Sequence, residues 1–490
     1  MVNEGKLERK RYGEMGNTRR DFLKGTAWMG AAAVAAGCMS GRDGMFAAPA
    51  TMGDFAVPPL RKIRVGVVGL GSRGMPAPKR LAMIPGVEIA ALCDLRPERL
   101  SQAQAWFKEN GKAVPRGFTG DEDCWRRMCE WDGIDVVYNV LAWSLHACVG
   151  VYAMECGKHV MIEVPAAMTV DECWELVETA ERTRRHCMQL ENDCYSELPL
   201  LELNLVRQGL LGEIVNTECG YIHDLRSYFF RDDQNYKSWR LLWNSRHQGN
   251  PYPTHGLCPM AKCLDINCGD RFKTLVALGS GAFGVEAWRK ENLPDGDWRR
   301  NIRMDMNDMC VTLITTERGR LITVKHDVVS PRPKTEIHFI SGTRGAVAGF
   351  PIRIHLDASS PKYAIKEWPD AKVGEELRQK YMHPLWKDAS EVAKKVGGHG
   401  GIDFLMDLRW AYCLQNGLPL DMTVYDLAAT CSTCELSERS VRAGGAPQEV
   451  PDFTRGAWRT AKPHDVATVD LGKMGLSVDG VKGDVGYKGV

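Results

Sequence analysis

The sequence lacks two features that would assign it to common functional classes. Its 490 residues contain 63 Lys and Arg against 62 Asp and Glu, so the net charge is only +1. Without a basic excess, there is no electrostatic basis for nucleic acid as a partner. The chain also lacks a run of about 20 apolar residues. We therefore expect no transmembrane span in the mature protein.

The cysteines lack the arrangement of a disulfide framework or a metal site. There are 17 of them, an odd number, at scattered spacings. Cys258, Cys263 and Cys268 lie five residues apart, which fits no metal-ligand pattern, and Cys431 and Cys434 form a lone C-x-x-C without a second pair. We interpret these side chains as buried thiols and predict no metal site.

Residues 1–50 have the layout of an export signal. Thr18-Arg19-Arg20-Asp21-Phe22-Leu23-Lys24 precedes an Ala/Gly-rich segment at 25–37, which is typical of a twin-arginine signal peptide. Cleavage after 48–50 (A-P-A) is the preferred interpretation, and lipoprotein anchoring at Cys38 is the alternative. We expect a periplasmic or secreted protein, and export of already folded chains agrees with unpaired thiols.

The length predicts two domains, and the apolar pattern places the first at 60–190. Short β-branched segments at 63–68, 88–93, 136–140 and 159–162 alternate with helical patterns. This alternation predicts an α/β domain with a doubly wound parallel sheet of the Rossmann type.

The second domain is predicted at 191–463 as an α+β unit with an open, mostly antiparallel sheet. Its β-rich segments are 213–222, 274–282, 310–315, 321–328 and 335–340, and its helices include 198–208, 401–416 and 424–443. One face of this sheet is free for a second subunit, so a homodimer is an open expectation. Residues 464–490, rich in Gly, Asp and Lys, are predicted as a surface extension.

A glycine-rich turn predicts a dinucleotide site. Gly69-Leu70-Gly71-Ser72-Arg73-Gly74 follows the first strand and opens a helix, and Asp94 ends the second strand. The glycines let the backbone approach a pyrophosphate, and we assign the loop residues Ser72 and Arg73 to the same site. Asp94 would accept hydrogen bonds from ribose hydroxyls, which favours NAD over NADP, although Arg96 lies nearby.

Longer strings carry a specific resemblance. They are Leu141-Ala142-Trp143-Ser144-Leu145-His146, Glu163-Val164-Pro165, Glu191-Asn192-Asp193-Cys194-Tyr195, Tyr221-Ile222-His223-Asp224, Tyr252-Pro253-Thr254-His255-Gly256-Leu257, Ser330-Pro331-Arg332-Pro333, His399-Gly400-Gly401-Ile402-Asp403-Phe404 and Pro451-Asp452-Phe453-Thr454-Arg455-Gly456. The chain resembles the glucose-fructose oxidoreductase / inositol dehydrogenase family. Within it, the chain is similar to the NAD-dependent glycoside hydrolases of family 109, known as α-N-acetylgalactosaminidases.

The resemblance implies an enzyme in which bound NAD⁺ removes hydride from sugar C3, the C1 group is eliminated, water adds and the hydride returns. It implies His255 or Tyr195 as the base, and the choice stays open. The segment 252–256 around His255, with its proline and glycine, is predicted as a turn. It assigns Trp143, His146, Glu163, Val164 and Asn192 to the cofactor. It assigns Tyr221, Arg240, Tyr252, His255 and Lys334 to the glycan. Related dehydrogenases carry E-K-P where this chain has Glu163-Val164-Pro165, so proton transfer falls to other groups.

Two alternatives remain at this stage. One is an NAD-dependent sugar oxidoreductase or epimerase, and the other is a non-catalytic binding protein of the same fold. Glycoside hydrolysis normally needs two carboxylates that flank the bond, and no such pair can be placed from the sequence. Lys334 stands where the family has a tyrosine, which suggests an acidic or sulfated glycan. Asp403 is interpreted as a helix cap or a site residue.

Overall fold

The computed structural model describes residues 51–231, 236–357 and 366–481. The predicted export signal, with the twin-arginine segment at 18–24 and Cys38, lies outside the described residues, as does 482–490 of the predicted extension. Within the described ranges, no helix is long and apolar enough to cross a membrane.

The first sheet has six parallel strands in the order β3-β2-β1-β4-β5-β6. They are β1 (Ile63–Val68), β2 (Val87–Cys93), β3 (Arg116–Phe118), β4 (Val136–Asn139), β5 (His159–Ile162) and β6 (Cys187–Gln189). The connecting helices are α1 (Ala77–Leu81), α2 (Pro97–Glu109), α3 (Cys124–Glu130), α4 (His146–Glu155) and α5 (Val170–Thr183). The strand order reverses between β1 and β4, which places a ligand crevice beyond their carboxyl ends.

The second sheet has eight strands in the order β13-β12-β11-β7-β10-β9-β8-β14. They are β7 (Ile214–Ile222), β8 (Phe272–Gly279), β9 (Cys310–Thr316), β10 (Leu321–Asp327), β11 (Phe339–Gly342), β12 (Gly345–Ala348), β13 (Arg353–Leu356) and β14 (Gln448–Glu449). Only β7 and β10 pair in parallel, and all other neighbours are antiparallel. The two sheets confirm the predicted fold class.

Two helices join the layers. The remaining helices are α6 (Glu197–Arg207), α7 (Arg226–Phe229), α8 (Trp239–Asn244), α9 (Thr254–Cys263), α10 (Phe283–Asn292), α11 (Ala371–Tyr381), α12 (Pro384–Val396), α13 (Ile402–Asn416), α14 (Val424–Arg442) and α15 (Leu471–Met474). Helix α14 packs on both α5 and β8, and α9 packs on β7. A capping box between Thr423 and Asp426 fixes the start of α14. The opposite face of the second sheet exposes Leu278, Leu313 and Leu321.

The segment that contains His255 is a helix rather than the turn expected from its glycine and proline. Helix α9 begins at Thr254, so His255 lies in its first turn. Gly256 is needed for packing, because a Cβ there would lie 2.5 Å from the backbone nitrogen of Gly220 on β7. The glycine therefore marks a close helix–strand contact, which looks like a turn signal in the sequence alone.

Two other predictions were also wrong. The strand expected at 335–340 begins only at Phe339, because Ile337 and His338 have positive φ values of 68° and 43°. The C-terminal segment is not merely a surface extension, since Val466, Val469 and Leu476 are buried against the core.

The described cysteines are free thiols, and most are buried. Cys431 and Cys434 lie inside α14, and Cys258 and Cys263 lie inside α9. Burial raises the pKa of Cys263 and Cys431, so these side chains act as small apolar groups.

A buried ion pair anchors α13 to the segment before α14. Arg409 donates from Nη2 to Asp421 Oδ1 at 2.7 Å, and both side chains are less than 5% exposed. The Tyr195 hydroxyl donates to the same carboxylate at 3.0 Å. The Arg409 guanidinium is therefore the principal group that keeps Asp421 charged inside the protein.

We predict that Arg409→Met destabilises the protein by about 3–5 kcal/mol, because the Asp421 carboxylate stays buried without a counter-ion. The matched control is Arg439→Met, which removes an exposed pair with Glu435 four residues away and should cost less than about 0.5 kcal/mol. Chemical denaturation of both variants measures the difference. Equal free energies of unfolding would contradict the prediction.

Candidate active site

The glycine loop is closed on one side and open on the other. A Cβ at Gly74 would lie 1.8 Å from the carbonyl oxygen of Gly69, and Gly69 itself has a φ of +91°. A Cβ at Gly71 would meet nothing within 4 Å. The space over Gly71 is where a pyrophosphate approaches the backbone in dinucleotide-binding domains, so the loop fits NAD.

Asp94 lies at the carboxyl end of β2 and fastens this loop. Its Oδ2 accepts the backbone N–H of Leu70 at 2.7 Å, and its Oδ1 accepts the backbone N–H of Arg96 at 2.9 Å. The Arg96 guanidinium also pairs with Asp94 at 3.1 Å and stacks over the ring of Tyr236. The charge of Arg96 is therefore balanced by Asp94, and the carboxylate lies beside the loop as a ribose ligand would require.

Arg73 connects the glycine loop to two other elements. Its Nε donates to Glu163 at 2.7 Å, and its Nη1 donates to Asp403 of α13 at 2.6 Å. Asn192 donates to the other Asp403 oxygen at 2.6 Å, and His399 lies 3.0 Å away. Although burial opposes ionisation, Arg73 and His399 hold the pKa of Asp403 well below its usual range.

This network shows what the side chains of Asp403 and Arg73 contact, two residues that the sequence singled out. Asp403 does not cap α13, because the N-cap is Gly401 and carries no side-chain cap bond. The guanidinium of Arg73 is engaged by two protein carboxylates, and its assignment to the cofactor stays a prediction. Arg73 contacts Glu163 directly and is linked to Asn192 through Asp403, so these side chains lie at the same edge as the glycine loop.

His146 and Val164 occupy the loops after β4 and β5. Both ring nitrogens of His146 contact backbone carbonyls, Pro165 O at 2.7 Å and Leu141 O at 2.9 Å. Through these two contacts, His146 holds the two loops together, and its assignment to the cofactor stays a prediction. Val164 is buried in the second of these loops.

Aromatic rings form a continuous wall between the two domains. The Trp143 ring lies 5.9 Å from Tyr252, which in turn lies 5.0 Å from Tyr221. Arg240 places its guanidinium 4.6 Å from the Trp143 ring and 5.0 Å from Trp239. Flat aromatic surfaces and a cation among them suit a sugar ring with polar substituents. The structure thus brings Trp143, Tyr221, Tyr252 and Arg240 together.

His255 lies at the end of this wall, against two acidic residues. Its Nδ1 is 2.6 Å from Glu191 Oε1 and 3.0 Å from Asp193 Oδ2. Burial disfavours the imidazolium, but the two carboxylates outweigh burial and raise the pKa of His255 to about 9. Glu191 and Asp193 were not predicted as functional, although their position just after β6 at a sheet edge was an available signal.

The same three side chains are of the types that bind metal ions, and their ligand atoms lie within 4.8 Å of one another. The 2.6 Å between His255 and Glu191 is nevertheless a hydrogen-bond distance. Two ligands of a tetrahedral zinc ion would stand roughly 3.3 Å apart, given bonds of about 2.0 Å. The contact is therefore that of a hydrogen bond between the imidazole and the carboxylate.

The structure argues against Tyr195 as a base. Its hydroxyl donates to Asp421 at 3.0 Å, within the buried pair with Arg409, and the side chain is fully buried. Burial and the Asp421 charge raise the pKa of Tyr195 well above its usual range. Tyr195 therefore stabilises the interior, and His255 is left as the candidate base.

Lys334 lies near the aromatic wall with its charge already balanced. Its Nζ is 3.0 Å from Glu336 Oε1. Burial of the ammonium acts against its charge, but Asp193 and Glu336 raise the pKa of Lys334 above its usual value. An anionic glycan is therefore not required to neutralise it, which weakens the expectation of an acidic substrate.

Each carboxylate in this region has a basic partner. Glu191 and Asp193 face His255, Glu163 faces Arg73, and Glu336 faces Lys334. A pair of carboxyl groups free to flank a glycosidic bond, as in most glycosidases, is not found among these residues. The site therefore favours chemistry that uses a cofactor.

Comparison with known proteins agrees with both halves of the site. The family profile described as "Oxidoreductase family, NAD-binding Rossmann fold" matches residues 63–190. The profile described as "Glycosyl hydrolase 109, C-terminal domain" matches residues 195–460.

Curated relatives cover most of the chain. It is 44% identical over 422 residues, 85% of the chain and 97% of the relative, to a Bacteroides fragilis protein named alpha-N-acetylgalactosaminidase. It is also 44% identical over 412 residues to glycosyl hydrolase family 109 protein 1 of Bacteroides thetaiotaomicron, which covers 82% of this chain and 86% of that one.

Solved structures share the fold at lower identity. The WlbA dehydrogenase of Bordetella pertussis, in complex with NADH and UDP-GlcNAcA, has a TM-score of 0.57 at 16% identity and covers 81% of this chain and 99% of its own. Levoglucosan dehydrogenase, in complex with NADH and L-sorbose, has a TM-score of 0.58 at 18% identity and covers 80% and 99%. The glycine loop, the match over 195–460 and the 44% identity lead to one conclusion: the chain belongs to glycosyl hydrolase family 109 and is an NAD-dependent glycoside hydrolase.

Proposed function

We propose that the protein hydrolyses α-N-acetylgalactosaminides by transient oxidation, with NAD retained through the cycle. When bound, NAD⁺ supplies the means to withdraw hydride from sugar C3 and to return it. The observation that carries the proposal is the geometry of His255, whose Nδ1 is held by carboxylates in a region where the other carboxylates are ion-paired. The name of the Bacteroides fragilis relative supports the choice of sugar.

The chain's own residues then perform proton transfer and orientation. A ketone at C3 acidifies the C2 proton, and Nε2 of His255 takes it. The electron pair of the C2–H bond forms the C1–C2 double bond while the C1–O bond breaks. Water adds its hydroxide at C1 and gives its remaining proton to the departed aglycone oxygen, and the imidazolium returns its proton to C2. The O3–H proton passes to solvent during the oxidation and returns during the reduction. The Gly69–Gly74 loop, Asp94, Glu163 and Asn192 would hold the cofactor.

The aromatic wall would hold the sugar. Tyr221 and Tyr252 present ring faces, and Arg240 offers a guanidinium for hydroxyl or N-acetyl oxygens. Val164 takes the position at which related dehydrogenases carry a lysine, so a valine there leaves proton transfer to His255.

The cycle is tested by measuring product release and NADH formation in the same reaction. Purified enzyme without added NAD should release nitrophenol from the α-N-acetylgalactosaminide with no net rise in the nicotinamide absorbance band. Product formed in D₂O should carry deuterium at C2, measured by mass spectrometry. His255→Ala should lower turnover at least about a hundredfold and keep its bound NAD. Stoichiometric NADH would instead indicate a sugar oxidoreductase, and no reaction on a wide glycoside panel would indicate a binding protein.

We predict that Gly71→Ala lowers the bound NAD per chain at least about tenfold, because the added methyl group enters the space for the pyrophosphate. The fold should be unaffected, since nothing lies within 4 Å of that Cβ. The matched control is Gly374→Ala on α11, where a Cβ also meets nothing within 4 Å. Full NAD content in Gly71→Ala, measured after denaturation, would place the cofactor elsewhere.

We also propose that the protein is exported by the twin-arginine pathway. The support is the Thr18–Lys24 pattern and the free thiols of the described chain, which agree with folding before export. Mass spectrometry of the mature N-terminus in fractionated cells measures this. A full-length chain confined to the cytoplasm would contradict export.

The open face of the second sheet supports the proposal of a homodimer. Leu278, Leu313 and Leu321 are exposed on adjacent strands, at positions that point to the same side. A second copy of the chain packed on this face would remove the three leucine side chains from water. Sedimentation velocity should give the dimer mass, and a monomer at micromolar concentration would contradict the proposal.

A further inference from the structure

Two acidic residues, Glu191 and Asp193, lie against His255 on the Nδ1 side of its ring. Glu191 and Asp193 come from the short helical turn after β6, and the side chain of Glu191 has no exposed surface. The backbone N–H of Asp193 donates to Glu191 Oε1 at 3.1 Å, so the carboxylate is held by its own loop. It is therefore fixed in place before any sugar binds.

We propose that Glu191 is the positioning residue of the site: its carboxylate fixes Nδ1 of His255 so that Nε2 faces the sugar, and Asp193 supports it from a second direction. This assignment rests on the proposed function, because it takes Nε2 of His255 as the base. Neither acid need touch the substrate.

The ring orientation follows from contacts on three sides. Nδ1 is occupied at 2.6 Å by Glu191, which leaves the opposite ring edge as the part that can meet a ligand. The Tyr252 and Tyr221 rings stand edge-on to the imidazole, at 4.9 and 5.0 Å between centroids and at angles of 76° and 74°. The rings restrict rotation of the imidazole, and the carboxylate selects the tautomer with hydrogen on Nδ1.

Two carboxylates compete for one Nδ1 proton, so negative charge is in excess. Both acids have a buried oxygen that no hydrogen bond satisfies: Glu191 Oε2, and Asp193 Oδ2, which has only the 3.0 Å ionic contact with Nδ1. This excess favours the imidazolium, so His255 is a strong base once it has lost its proton. Lys334 acts against the imidazolium from the loop after β10 and limits the effect.

Titratable groups from four parts of the chain face His255. They are Glu191 and Asp193 after β6, Tyr221 on β7, Tyr252 before α9 and Lys334 after β10. Because the acids raise the pKa of His255 to about 9, kcat/KM of the wild type should rise with pH up to about 9. Removing one acid should move this limb to lower pH.

The test is Glu191→Gln, with Asp193→Asn as a second variant in case the first fails to fold. We expect this ascending limb of kcat/KM to move down by at least about one pH unit. The plateau of kcat should fall about tenfold or more, while KM changes less than about threefold, because the acids do not contact the sugar. Glu191→Asp keeps the charge and should restore the limb near pH 9.

The matched control is Glu202→Gln. Glu202 accepts from His338 Nδ1 at 2.8 Å, and this pair is also fully buried. That variant should lower thermal stability but leave the pH profile unchanged. If both Glu191→Gln and Asp193→Asn keep the wild-type limb and kcat within twofold, the positioning role is overturned.

A second readout separates this inference from the proposed function. Titration of ¹³C-labelled His255 by NMR in the NAD-loaded enzyme reports its pKa without turnover. The His255 pKa could be near 9 and fall in Glu191→Gln while the enzyme is inactive on N-acetylgalactosaminides. That result would support the effect of the acidic pair on His255 and contradict the proposed substrate. An unchanged pKa would reject the inference itself.

Discussion

The contact between Arg73 and Asp403 holds the site together. Arg73 lies in the glycine loop of the first domain and Asp403 lies at the start of α13, 330 residues later. Burying two charges is favourable only when they meet with good geometry, so this contact fixes how the loop lies against the helix. Glu163 and Asn192 are held by the same pair of side chains. The edges of β1, β5 and β6 are thereby brought into one arrangement.

A second charged cluster stands apart from the first. It joins His255, Glu191 and Asp193 with Lys334 and Glu336, and its members come from the segment after β6, from α9 and from the loop after β10. In each cluster every acid lies beside a base, although Glu191 and Asp193 share one imidazole. A glycosidase built this way cannot use the two-carboxylate mechanism with these groups. Its family membership and its dinucleotide loop indicate that NAD supplies the chemistry that a carboxylate pair supplies in other glycosidases.

The aromatic wall reaches the second cluster at His255. Trp143 belongs to the first domain, while Tyr252 and Tyr221 belong to the second, and their rings are in contact. Rings of this size contribute large apolar contact and define a flat surface. The crevice at the strand ends is therefore bounded by groups that suit a sugar, and His255 stands at its far end.

The sequence by itself determined the doubly wound sheet, the dinucleotide loop and the family. These depend on local patterns, such as the β-branched strand followed by Gly69-Leu70-Gly71-Ser72-Arg73-Gly74, which specify a conformation wherever they occur. Only the tertiary structure decided which acids face His255, that the Tyr195 hydroxyl donates to Asp421, and that the Arg73 guanidinium pairs with Asp403. Hydrogen-bond partners of buried polar groups come from distant parts of the chain, and packing of the two sheets selects them.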